Sequence, residues 1–266
     1  MSTSVSTWTE LAAELNAARD SEIVLGANID LNDTLPEGIT AYVGNTSYAK
    51  SLNGDGYKIK NLYASSLAGA VFRGNTATNA SGLAKRLNIS NVDFDGIYLS
   101  GSSAAFAGVN LDHCYISAEL TDTYLGSTTK YTICGVKITG SGTNARITQS
   151  VSSDVTPPTF KFCNIELQGK YSSVALNLQN SYLSGDFEKV DDNKPLTFKG
   201  STIGVVNAKI KSGSNLITNS STLLLVNNDE DMLDVPNRLT ISPGIPVSTT
   251  ELHSVSELRR YGFPIL

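Results

Sequence analysis

"FKFCNIELQG" (residues 160–169) alternates apolar and polar side chains around a cysteine. The same shape recurs in "LDHCYISAEL" (111–120) and "YTICGVKITG" (131–140), and these stretches hold all three cysteines of the chain. A shared position in three strand-like segments is the mark of a repeat. Aligning them on the aliphatic residue two places after the cysteine gives Ile116, Val136 and Ile165. The register extends to Ile29, Leu62, Val92, Leu183, Ile203 and Leu223. Two places earlier stand the cysteines together with Ala27, Lys60, Ser90, Ser181, Ser201 and Ser221, all small except Lys60. The position five places earlier is apolar everywhere but at Thr218. Inward positions two residues apart are strand geometry.

A unit near 20 residues, with strands and turns but no helix, predicts an all-β solenoid: a right-handed parallel β-helix of about nine coils. Equivalent residues of successive coils then stack about 4.8 Å apart. A small inward residue fits where the strand turns a corner, and cysteine serves there as a small buried hydrophobe interchangeable with serine and alanine. The cysteines are therefore expected to be reduced and structural. An odd number with no close pair makes neither a disulfide framework nor a zinc site.

A solenoid has two open ends that need covers. In "STWTELAAELNAARD", Thr7 and Glu10 form a capping-box pattern, and Trp8, Leu11 and Leu15 share one helical face. Residues 7–19 are expected to form an amphipathic helix closing the N-terminal end. The division is a capping segment (1–20), a β-helix (21–228) and an extended arm with a short helix (229–266). Wide spacings place insertion loops at about 32–51, 65–86 and 140–158. The arm is rich in proline and predicted to add no coil. Its closing helix starts at a second capping box, Ser248 and Glu251. Leu252, Val255 and Leu258, with Phe263 and Ile265 beyond, form a narrow apolar stripe suited to anchoring on a partner.

The formal charge of −5 argues against nucleic acid as a partner. No apolar run is long enough to cross a membrane. "MSTSVSTWTE" has neither a positive region nor an apolar core, so no signal peptide is expected. With two histidines, His113 and His253, a histidine-rich metal centre is not expected, and neither a metal nor a cofactor is implied. No nucleophile elbow, phosphate loop or dinucleotide fingerprint is present. The outward columns carry Asp93, Asp95, Glu119, Glu166 and Asp186. The register sets Asp95 and Glu119 in one column of adjacent coils, close enough to serve a retaining glycosidase or hold a cation. A solvated acidic face is the simpler reading. Lyases of the pectate type need calcium-binding acids beside a basic residue, and no acid column here has an arginine next to it. No catalytic residues are assigned; were the chain an enzyme, Asp95 and Glu119 would be its centre.

"SLNGDGYKIKNLY" (51–63) resembles a turn-strand phrase common in β-helix proteins of bacterial surfaces and phages. The closing "ELHSVSELRRYGFPIL" looks like the C-terminal segments of some phage structural proteins. The whole chain thus resembles the β-helix virion proteins of tailed bacteriophages. That resemblance implies a non-enzymatic component of the particle, a head decoration, head fibre or tail accessory protein, made in the host cytoplasm. Its implied partners are other virion proteins, copies of itself and, for a receptor-facing protein, a host surface glycan. The alternatives are a tailspike-like protein that binds or degrades polysaccharide and a bacterial surface adhesin, the latter disfavoured by the missing export signal.

Overall fold

The computed structural model describes residues 2–148 except 66, and 158–189 except 173, 180 and 186. Beyond these it describes the strands Leu196–Lys199, Gly204–Ala208, Asn215–Thr218, Leu223–Leu225 and Thr240–Ile241. The described chain is mostly β, with parallel strands in three sheets of 11, 10 and 4 strands. Successive strands of one coil go to different sheets, as a parallel β-helix requires. Val109–Asp112 lies in the first sheet, Tyr115–Thr121 in the second and Tyr124–Ser127 in the third. The next coil repeats the circuit with Lys130–Thr132, Gly135–Ser141 and Arg146–Thr148.

Alternation within the strands builds the core. Ile116, Ala118 and Leu120 point inward from Tyr115–Thr121, while Tyr115 and Glu119 point out. Like side chains of neighbouring coils then meet. Tyr131 and Phe160 are register partners whose rings stack 4.3 Å apart. Phe72, Phe94 and Phe106 form a cluster with centroids 5.3–6.0 Å apart, and the Trp8 ring meets Phe72 edge-on at 6.0 Å. Each such fully buried large side chain contributes about 1.5–3 kcal/mol.

Helix α1 spans Trp8–Asn16, shorter than the expected 7–19, with both halves of the capping box formed between Thr7 and Glu10. Trp8, Leu11 and Leu15 are its buried residues. Its C-terminal carbonyls are met by an inward lysine. Lys50, 3% exposed, donates from Nζ to the carbonyl oxygens of Glu14 and Ala17 (2.9 Å each) and to Ser21 Oγ (3.1 Å). A cation at this end also complements the helix dipole. Two short helices, α2 (Leu31–Thr34) and α3 (Ala80–Ala84), lie in the longer connections.

Four expectations are corrected. The capping segment 1–20 is not helix alone: it begins with a strand, Thr3–Val5, that opens the first sheet by pairing with Ser21–Leu25. The supposed loops 65–86 and 140–158 contain Gly69–Arg73 and Arg146–Thr148 of the third sheet. That sheet was hidden because it does not alternate: Ser103–Ala107, "SAAFA", is buried at every position. The arm does extend the stack, since Thr240–Ile241 pairs with Asn215–Thr218 in the first sheet. Last, the register holds for Ile29, Ile116, Val136, Ile165 and Leu183 but slips elsewhere. The true members are Ile59, Phe94, Val206 and Leu225 in place of Leu62, Val92, Ile203 and Leu223. A bulge turns Leu62 inward three residues after Ile59: Asn61 (φ 56°) and Gly96 (φ 89°) sit opposite each other between Lys60↔Asp95 and Leu62↔Ile97, as extra residues against Ser117 and Ala118.

Candidate functional site

The cysteines lie where the sequence puts them, stacked in successive coils and buried. Tyr115 N–H donates to the Val92 carbonyl, Gly135 N–H to that of Cys114 and Asn164 N–H to that of Cys134, so Val92 precedes Cys114 in the column. Each thiol faces two carbonyls, one two residues back and one in the preceding coil. Cys134 Sγ lies 3.2 Å from the Thr132 oxygen and 3.7 Å from that of Leu111. Ser181 continues the column, donating from Oγ to the Phe160 carbonyl at 2.8 Å. Cysteine and serine are interchangeable here because both are small inward donors. The Cys114 thiol is pushed well up, first by its hydrogen bonding with Cys134 and then by burial. At the other end Cys163 is lowered by the hydrogen bond from Cys134. The column is structural.

The corner before Val92 and before each cysteine is turned by a left-handed residue: Asn91, His113, Ile133 and Phe162, with φ from 51° to 54°. Asparagine tolerates this region; a β-branched isoleucine does so at a cost. His113 is exposed, with Nδ1 3.1 Å from Asp112 Oδ2. Ile133 and Phe162 are exposed apolar residues, and Lys161 Nζ stands 5.3 Å over the Phe162 ring.

The outward face of the second sheet gathers the residues singled out for chemistry. One column runs Lys58, Asp93, Tyr115, Gly135, Asn164. The next runs Lys60, Asp95, Ser117, Lys137, Glu166, and a third runs Tyr63, Tyr98, Glu119, Thr139, Gln168. Asp95 and Glu119 therefore do not share a column: Asp95 faces Ser117, and Glu119 faces Tyr98. A two-residue register offset separates them: Phe94, not Val92, pairs with Ile116, which sets Asp95 against Ser117 before the bulge at Gly96 is reached. Asp95 is engaged elsewhere. Lys58 Nζ lies 2.8 Å from Asp93 Oδ2 and 3.4 Å from Asp95 Oδ2. The hydrogen bond to Asp93, reinforced by its charge, holds the Lys58 ammonium above its ordinary range. Lys137 pairs with Glu166 at 3.3 Å. Among the described residues no three His, Cys, Asp or Glu side chains gather as metal ligands. Asp186, His253 and the stripe Leu252, Val255, Leu258, Phe263 and Ile265 lie outside the described residues.

A feature the sequence reading missed is the exposed tyrosines of this face, Tyr63, Tyr98 and Tyr115. Alternation alone places them outward; their use as a group follows only from the register. A family model described as "Putative pectate lyase-like adhesive domain" matches residues 2–217, from the opening strand to Asn215–Thr218. The chain belongs to this family. No curated protein and no solved structure matches it. The pectate lyase-like adhesive domain thus spans the capping helix and most of the sheets. Its outward second-sheet face is a mixed surface of ion pairs, hydroxyls and aromatic rings.

Proposed function

We propose that the chain is a non-enzymatic adhesive module of a tailed-phage particle, a right-handed β-helix of about nine coils that works by contact. Membership of the adhesive family carries this reading. The separation of Asp95 from Glu119 and the pairing of Asp95 with Lys58 support contact over turnover. The turn-strand phrase at 51–63 and the closing segment are what favour a particle, with other virion proteins and copies of the chain as neighbours. The adhesive family also favours a second carrier for the same activity, a bacterial cell surface.

Two measurements test the proposal. Mass spectrometry of purified particles should find the chain in stoichiometric amount; finding it only in cell envelopes would select the second carrier. Purified protein should adhere to target cells and release no oligosaccharide from capsule or lipopolysaccharide. Depolymerisation that disappears in Glu119→Gln would overturn the non-enzymatic reading.

A further inference from the structure

The exposed tyrosines of the second sheet each lie against a glycine. A Cβ added at Gly96 would stand 3.0 Å from Cε2 of Tyr98 and 3.1 Å from its hydroxyl oxygen. At Gly38 it would stand 2.4 Å from Cδ1 of Tyr63, and at Gly135 3.0 Å from Cδ2 of Tyr115. A ring can come this close to the backbone only where the side chain is a hydrogen. Each ring is thus laid down on backbone, Tyr98 and Tyr115 on the sheet and Tyr63 on the connection at Gly38, yet Tyr63, Tyr98 and Tyr115 remain 42%, 38% and 47% exposed. Rings held down in this way lose little freedom on binding and offer broad, pre-positioned contact area.

Their spacing also has a direction. Tyr63 and Tyr98 are register partners on adjacent coils. Tyr115 is on the coil after Tyr98, four residues along the strand from Glu119, the partner of Tyr98. That is a separation of about 13 Å along the strand. Between the rings lie Ser117 and Asp95, which can hydrogen-bond hydroxyl groups.

Charge narrows the ligand. Lysine and acidic side chains alternate over this face, and Lys58 and Lys137 are already paired with acids of the same face. Such a surface has no cationic excess to attract a polyanion. Aromatic faces are partially negative and suit the weakly positive C–H faces of sugar rings. From the flat rings, the hydroxyl partners and the balanced charge, we infer that the glycine-backed tyrosines form a binding platform for a neutral oligosaccharide. This inference rests on the adhesive reading and names its ligand class.

The test uses the full chain on an immobilised panel of neutral hexose and N-acetylhexosamine oligosaccharides, with polygalacturonate as the acidic comparison. Lipopolysaccharide and capsular polysaccharide are run as separate arms to identify the source. At least one neutral glycan should bind, and Tyr98→Ala or Tyr115→Ala should weaken it by about tenfold or more. Gly135→Ala is the sharper variant. Its φ lies outside the left-handed region, and the added methyl meets only the Tyr115 ring. It should lift that ring and weaken binding while the melting temperature stays unchanged. Tyr42→Ala, whose ring lies under Arg73 instead, should bind as the wild type does. Binding confined to polygalacturonate, or equal binding by all variants, would overturn the platform. Cell adhesion without binding to any neutral glycan would overturn the platform and leave the adhesive reading standing. Absence of adhesion would remove both.

Discussion

At Cys134 the inward column has room for one small side chain and two carbonyls to receive its proton. Cys134→Ser should therefore be nearly neutral in thermal denaturation, because Ser181 makes the same contact one step beyond Cys163. Cys134→Leu should cost about 1–3 kcal/mol through overpacking. Alkylation of the native protein should be slow at Cys114, Cys134 and Cys163 and fast in denaturant; rapid native labelling would contradict their burial. Gly44 is a harsher case. Its φ is 126°, and a Cβ there would stand 1.9 Å from the Arg73 carbonyl oxygen. Gly44→Ala should destabilise by about 1–3 kcal/mol or more, read from a denaturant midpoint.

At the scale of the element, α1 is fastened at both ends. Thr7→Ala should cost about 1 kcal/mol by removing the N-cap. Glu10 closes the other half of the box. Backbone N–H groups donate to its carboxylate, Ser6 foremost and also Thr7, and lower its pKa. A carboxylate with a lowered folded pKa contributes stability above its unfolded value and loses it as pH falls through the folded one. The melting difference between wild type and Glu10→Gln should thus be present at neutral pH and vanish in acid. A difference that grows in acid would refute this. The helix itself was legible from Thr7, Glu10 and the Trp8–Leu11–Leu15 face. Its far end was not, because Lys50 is 33 residues or more away in sequence from the carbonyls it satisfies.

For the whole molecule, stability is roughly a sum over neighbouring coils. Truncation after Asn228 should leave a β-rich, folded protein by circular dichroism. It should melt at a lower temperature, since Thr240–Ile241 no longer covers Asn215–Thr218. An unchanged melting temperature would mean that this last pairing contributes nothing. Loss of all structure would mean that the arm is an obligatory cap.

Local pattern alone determined the parallel, stacked character of the chain, the capping box and the cysteine column. Each is written in residues close together or repeated at a steady interval. Ile116, Val136, Ile165 and Leu183 were legible for that reason, since no bulge interrupts the register between them. Tertiary structure decided the rest. The pairing of Phe94 with Ile116 sets Asp95 against Ser117, and a bulge at Asn61 and Gly96, which adds one residue to two strands, brings Tyr98 opposite Glu119. The strands of the third sheet bury consecutive residues, as Ser103–Ala107 and Ala70–Phe72 do, so they carry no two-residue period to read. The tyrosines became a surface only when coils up to 35 residues apart in sequence came into register, as Tyr63 and Tyr98 do. Sequence order cannot specify such a surface, because backbone hydrogen bonding between coils fixes which side chains become neighbours.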